Sequence, residues 1–181
     1  MRVESLKLSG TFKITLEPRR DERGYFVRTY DQAVFLAHGL STNWVQESQS
    51  YSIRNIVRGM HFQRPPFSEV KLVRALWGRI VDVLLDLRKS SETYGQWDSL
   101  ELSAENHTAV YIPKGFAHGF CTPDSDAVLA YKMDSQYVPE AAGGLLWNDP
   151  DVGINWPVQS PMTSESDEGW PALRYFTSPF E

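Results

Sequence analysis

Apolar and polar positions alternate along most of the chain, and the alternation predicts strands. In residues 57–77, VRGMHFQRPPFSEVKLVRALW, Met60 and Phe62 alternate with His61 and Gln63, and Val70 and Leu72 flank Lys71. Successive strand side chains point to opposite faces, so His61 and Gln63 share one face and Met60 and Phe62 the other. Pro65 and Pro66 cannot donate to a sheet ladder, which divides this stretch into two strands joined by a loop. Residues 79–88, RIVDVLLDLR, carry the clearest pattern, with Val81, Val83, Leu85 and Leu87 on one face and Asp82 and Asp86 on the other. Residues 1–18 predict one or two strands. Residues 25–30, 44–52, 97–102, 108–112 and 127–133 predict one each, and the turn at Pro113 runs into another. Within 44–52 the alternating set is Gln46, Ser48, Ser50 and Ser52. One short helix is expected, capped by Asp31, apolar at Ala33 to Leu36 and ended by Gly39. After Val138 the pattern dissolves into turns, and residues 162–181 read as a polar tail anchored by Trp170, Tyr175 and Phe180. Many short strands between Gly, Pro and Asp turns indicate an all-β sandwich or jelly roll.

Length narrows this to one domain, since 181 residues can bury a sizeable core. The net charge of -5, from 18 basic and 23 acidic residues, does not favour nucleic-acid binding but leaves room for a local cationic pocket. Cys121 stands alone, so no intrachain disulfide forms, and it is expected as a small buried apolar residue. That usage fits a reducing cytoplasm. The N-terminal residues carry charges throughout and do not read as a signal peptide. No stretch approaches the ~18 apolar residues of a membrane helix, so no membrane partner is expected.

The polar strand faces carry the candidate chemistry. His61 and His118 each lie near Gly in strand-like segments, and a barrel could bring them face to face. His38 and His107 sit in polar, loop-like surroundings and read as surface residues. Arg58, Gln63, Lys71, Tyr131 and Lys132 share the same kind of short strand, and several titratable groups in one interior make a candidate site. His61-x-Gln63, Glu69 and Pro113-x-Gly115-x-x-His118 echo the two metal motifs of cupins. Those motifs need His-x-His, and Gln63 is a poor ligand where imidazole is wanted, so a metal-dependent enzyme is the second reading. The first is proton transfer beside a carbonyl without a cofactor. His supplies the base, Lys71 a cation for the enolate oxygen, and Tyr131 an acid on the opposite face. A carboxylate would orient the His, and Asp82, Asp86, Asp134 and Asp167 all remain open.

The run Arg58-Gly-Met-His-Phe-Gln63 resembles the RG-x-H-x-Q signature of dTDP-4-dehydrorhamnose 3,5-epimerases. Ordered matches continue through Lys71-Leu-Val-Arg74, Asp82-Val with Asp86-Leu-Arg88, Leu102-Ser-Ala-Glu-Asn106, Ile112-Pro-x-Gly-Phe-Ala-His-Gly119, Tyr131-Lys132, Trp147-Asn-Asp-Pro150, Gly153-Ile-x-Trp-Pro157 and Ser164-Glu-Ser-Asp167. The resemblance implies a metal-free cupin-type jelly roll, a double-stranded β-helix barrel with a few short helices. It spans 1–181 as one domain, with strands in about the first 30 residues contributing to a homodimer. The implied activity is epimerisation of a dTDP-4-keto-6-deoxyhexose at C3 and C5. By resemblance His61 is the base paired with Asp167, Lys71 stabilises the enolate and Tyr131 is the acid. His118 and Arg58 line the sugar and phosphate region, and Arg23, Phe26, Gln46 and Tyr137 hold the nucleotide, in part across the dimer. Three departures fall among the nucleotide-facing positions: Arg28 where the family usually has Glu, Ser48 where it has Asn, and Gln136 where an aromatic is common. They leave open the nucleotide preference and a mono-epimerase acting on another nucleotide-linked keto sugar.

Overall fold

The computed structural model describes residues 1–181. Thirteen strands and two short helices follow in chain order: β1 (Arg2–Ser5), β2 (Phe12–Thr15), β3 (Arg19–Asp21), β4 (Gly24–Phe26), α1 (Gln32–Ala37), β5 (Gln46–Ser52), β6 (Val57–Gln63), β7 (Lys71–Trp77), β8 (Arg79–Asp86), β9 (Trp97–Ser103), β10 (Thr108–Ile112), β11 (Phe116–Cys121), β12 (Ala127–Met133), β13 (Ala142–Gly144) and α2 (Glu165–Gly169). A six-stranded sheet runs β1-β2-β10-β7-β12-β5, and a five-stranded sheet runs β13-β6-β11-β8-β9. β3 and β4 form a separate hairpin. All strand pairs are antiparallel, and from β5 to β13 successive strands alternate between the two sheets except for the β8–β9 pair, as in the cupin-type jelly roll.

Alternation decides what lies between the sheets. Val73, Ala75, Ile80, Leu84, Val110, Ile112, Phe116, Phe120 and Leu129 fill one part of the barrel. Their strand partners point outward and are covered. Ile14, Leu16, Leu72 and Tyr111 pack with Phe35 of α1 outside the six-stranded sheet. Met60, Phe62, Val83, Leu85 and Leu87 pack with Leu145 and Phe180 outside the five-stranded one. Both faces of the central strands are therefore buried, and the Asp82 and Asp86 face of β8 looks into the barrel rather than into water.

The helix expected after Asp31 forms, and the Asp31 carboxylate accepts from the Ala33 and Val34 amides. The strand expected over 25–30 is present only as far as Phe26. The turn-rich stretch after Val138 and the expected polar tail differ most, and Tyr175, expected as an anchor, is 79% exposed. Val152, Ile154, Trp156, Leu173 and Phe176 pack on the outer core of the five-stranded sheet, and Phe180 is buried within it. Val152, Ile154 and Trp156 recur every second residue and Leu173, Phe176 and Phe180 at spacings of three and four, yet no strand or α-helix forms there; these residues fill gaps along an irregular path over a curved surface.

Cys121 lies inside the protein as expected, and burial pushes its thiol up to about 11. It is expected to resist a thiol reagent in the folded protein and to react once denaturant is added, which a colorimetric thiol titration would show. No helix is long and apolar enough to cross a membrane.

Candidate active site

Part of the barrel is a cavity rather than packed core, with a volume of about 500 Å³. That is the size of a small-molecule site. Its wall includes His61 of β6, Lys71 of β7 and Tyr131 of β12, with Ser48, Tyr137, Gln63 and Glu69. His61 and Tyr131 stand on different sheets, because β6 belongs to the five-stranded sheet and β12 to the six-stranded one.

His61 is fixed by its neighbours. β6 and β11 approach closely, and a Cβ on Gly119 would lie 2.7 Å from the Met60 sulfur and 2.9 Å from the Arg58 carbonyl. That approach puts His118 in register beside His61 on the adjacent strand, not across the barrel as the sequence suggested. The His61 Nε2 lies 2.5 Å from Asp167 Oδ1. The other ring nitrogen has no protein partner, and the side chain is 43% exposed. Asp167 is 3% exposed. Burial alone would raise its carboxyl, but the hydrogen bond and charge of His61, with Ser164 and the Gly59 amide, hold it below the ordinary range.

The four candidate carboxylates separate by partner. Asp86 is taken by Arg88, Ser91 and Thr93, and Asp134 accepts from the Val70 amide. Asp82 pairs with Nε2 of His118 at 2.7 Å, and Asp167 alone reaches His61. The helix that carries Asp167 was missed in the sequence. Ser164-x-x-Asp167 is a capping signal for it, and the Ser164 hydroxyl accepts from the Asp167 amide at 3.2 Å.

Lys71 is flanked by Glu69, whose Oε1 lies 3.2 Å from Nζ. Burial pushes the Asp82 carboxyl above its ordinary value, against the pull of His118 and of the nearby Lys71 charge. Tyr131 is half-buried beside the barrel core, and burial pushes its phenol up to about 12. At neutral pH it therefore carries a proton and can donate it.

Gln63 has another task. The two protons of its amide nitrogen are shared among Phe67 O, Gln136 O and Glu69 Oε2, all within 3.2 Å, while its oxygen accepts from the Val138 amide at 2.7 Å. This fastens two loops to β6 and leaves the amide oxygen engaged. No cluster of three or more His, Cys, Asp or Glu offers a metal-binding set.

The remaining sequence candidates fall into three places. Gln46 accepts from the Tyr137 amide at 2.6 Å, beside the cavity. Arg58 donates to Ser52 Oγ at 3.0 Å, and its charge acts on Tyr131, while His118 lies beneath Tyr131 with rings 6.4 Å apart. Arg23, Phe26 and Arg28 do not reach the cavity of their own chain. Arg23 sits at the β3–β4 tip, 89% exposed and folded onto Asp21, and Arg28 pairs with Asp31. Phe26 is 67% exposed on the same hairpin.

An imidazole oriented by a carboxylate faces a protonated phenol across one cavity, with an ammonium on its wall. This defines a barrel isomerase able to move protons on and off a small carbonyl compound. The family model described as dTDP-4-dehydrorhamnose 3,5-epimerase matches residues 5–175. A dTDP-4-dehydrorhamnose 3,5-epimerase of Methanothermobacter thermautotrophicus is 45% identical over 170 residues, covering 92% of this chain and 91% of its own. Two crystal structures superpose with TM-scores of 0.92. The enzyme from Bacillus anthracis, solved with TDP and PPi bound, is 39% identical and covers 95% of this chain and 99% of its own. The enzyme from Legionella pneumophila, solved with dTDP-4-keto-L-rhamnose, is 32% identical and covers 97% of this chain and 94% of its own. The chain belongs to the dTDP-4-dehydrorhamnose 3,5-epimerase family, and it is a sugar epimerase.

One substitution tests how Asp167 is seated. Gly144 of β13 lies under Trp170, which directly follows α2, and a Cβ there would meet the indole at 2.5 Å. Gly144→Ala is expected to displace Trp170 and with it the helix carrying Asp167. Overpacking of this kind costs about 1–3 kcal/mol. A lower melting temperature together with reduced turnover is expected; an unchanged melt would show that the indole moves freely.

Proposed function

We propose that the protein inverts C3 and C5 of a dTDP-4-keto-6-deoxyhexose through an enolate, without metal or cofactor. The observation that carries this reading is the pairing of His61 with Asp167 opposite Tyr131 across one cavity, with Lys71 on its wall. The free nitrogen of His61 takes the proton from the carbon next to the C4 ketone. The C–H electron pair becomes a C=C bond, and the carbonyl oxygen becomes the enolate oxygen, beside the Lys71 ammonium. Asp167 stabilises the imidazolium that results. Tyr131 then gives its proton to the carbon from the other face, the enolate returns to the ketone, and the configuration is inverted. Proton exchange with water resets His61 and Tyr131.

Arg58 and His118 serve the sugar and phosphate region. Gln46, Tyr137 and Ser48 serve the nucleotide end of the cavity, and Arg23, Phe26 and Arg28 reach the nucleotide bound by a partner in a homodimer. The exposed hairpin with Tyr25 and Phe26 supports that dimer. Residues 1–181 act as one cupin epimerase domain, with the first 30 residues contributing to the dimer, and the protein works in the cytoplasm. Light scattering on the purified protein checks the dimer.

The deciding experiment is proton NMR in D₂O with dTDP-4-keto-6-deoxyglucose. Loss of the C3 and C5 proton signals with formation of the inverted sugar is expected. Exchange at one carbon alone would make the protein a mono-epimerase. Absence of exchange from a folded protein would overturn the substrate assignment and turn attention to Arg28 and Ser48.

A further inference from the structure

The alternating serines of β5 are not explained by packing. Ser48, Ser50 and Ser52 share the face of β5 that looks toward the barrel, and they run from exposed through half-buried to 2% exposed. Tyr131 on β12 stands in register with Ser48, which makes Ser50 its diagonal neighbour. The Ser50 hydroxyl lies 2.7 Å from the Tyr131 hydroxyl. One step deeper, Ser52 Oγ accepts from Arg58 Nε at 3.0 Å. One strand face therefore holds both the phenol and the guanidinium whose charge acts on it.

We propose that Ser50 is a positioning residue for the proton return, donating its hydroxyl proton to the Tyr131 oxygen so that the Tyr131 proton points into the cavity. This rests on the acid role given to Tyr131 above. A phenol that donated to Ser50 would hold its proton away from substrate; a phenol that accepts from Ser50 presents it. After transfer the largely buried phenolate needs a donor, and the same Ser50 hydroxyl, 2.7 Å away, meets the new charge. Burial and the Asp82 charge oppose phenolate formation at this position, while Ser50 and Arg58 favour it.

The test uses the full-length protein with dTDP-4-keto-6-deoxyglucose in D₂O, following deuterium exchange and inversion separately. Proton abstraction by His61 does not involve Ser50, so exchange continues in Ser50→Ala while inversion falls. Inversion is expected to drop by about tenfold or more, as for loss of a hydrogen bond to a charged group, and the exchange-to-inversion ratio to rise accordingly. Ser50→Thr, which keeps a hydroxyl and suits an edge strand, is expected to restore the ratio. An unaltered ratio in Ser50→Ala, or exchange and inversion falling together, overturns the proposal, the latter marking a merely structural role. Tyr131→Phe separates this failure from that of the underlying reading. If Tyr131→Phe raises the ratio and Ser50→Ala does not, Ser50 alone is wrong. If neither Tyr131→Phe nor Ser50→Ala alters it, the acid assignment falls and this inference with it.

Discussion

His61→Asn is expected to lower kcat by about 10⁴, the upper end of what a single general base contributes. Asn is close to His in size and can still meet Asp167, so the cavity keeps its shape while the base is lost. The loss is placed at the upper end because no second unpaired imidazole lines the cavity: His118 is already engaged by Asp82. Exchange of substrate protons into D₂O should vanish together with inversion, since both begin with abstraction. Binding of dTDP by calorimetry should survive, because the residues proposed to hold the nucleotide, Gln46, Tyr137, Arg23 and Arg28, are other side chains. Exchange persisting in His61→Asn would remove the base assignment.

The partner carboxylate adds a dependence on pH. The Asp167 carboxyl sits below the ordinary aspartate value of 3.8 when folded, so the folded protein holds that proton less tightly than the unfolded chain. Its stabilisation is complete above pH 3.8 and is lost as pH falls through the lower folded value. Asp167→Asn is therefore expected to narrow the stability gap between neutral and acid pH, as read by thermal melts below pH 3.8 and at pH 7. An identical acid dependence in the variant would show that other carboxylates govern it.

Much of this site was legible in the sequence because strands have a period of two. Once Pro65 and Pro66 split the central stretch, the faces of β6 and β7 followed, and His61 and Lys71 fell on the barrel side. Tyr131 and Lys132 both read as candidates on β12, and alternation separates them: Tyr131 lines the cavity while Lys132 pairs with Glu47. Alternation could not say which strands lie side by side, so His61 and His118 read as facing groups when they are register neighbours. Nor could it say that the polar face of β8 is interior. A carboxylate pattern looks the same whether water or His118 and Arg88 satisfy it. Asp167 was one of four candidates by residue type, and only the family resemblance selected it. Its helix has five residues, too few for a period, and its seat depends on Trp170 packing over Gly144. The Glu69 partner of Lys71 could have been found, since residues two apart in an extended segment share a face.

Lys71→Met is expected to lower kcat by a factor on the order of 10²–10³, comparable to removing one donor from an oxyanion hole. Met preserves most of the side-chain length and apolar stem, so packing against the cavity wall changes little. What changes is charge. With Lys71 gone, Glu69 loses its 3.2 Å partner, and Asp82 loses one of the charges that hold its carboxyl down. The developing enolate would then face the Glu69 carboxylate without a cation, and the barrier to forming it rises. Because the enolate lies on the path of both exchange and inversion, the two rates should fall together in Lys71→Met. That pattern differs from Ser50→Ala, in which exchange outlasts inversion. KM should change far less than kcat, since the ketone oxygen carries full charge only after the proton has left. A variant whose KM rises while kcat stays level would place Lys71 at the phosphates instead of at the enolate oxygen.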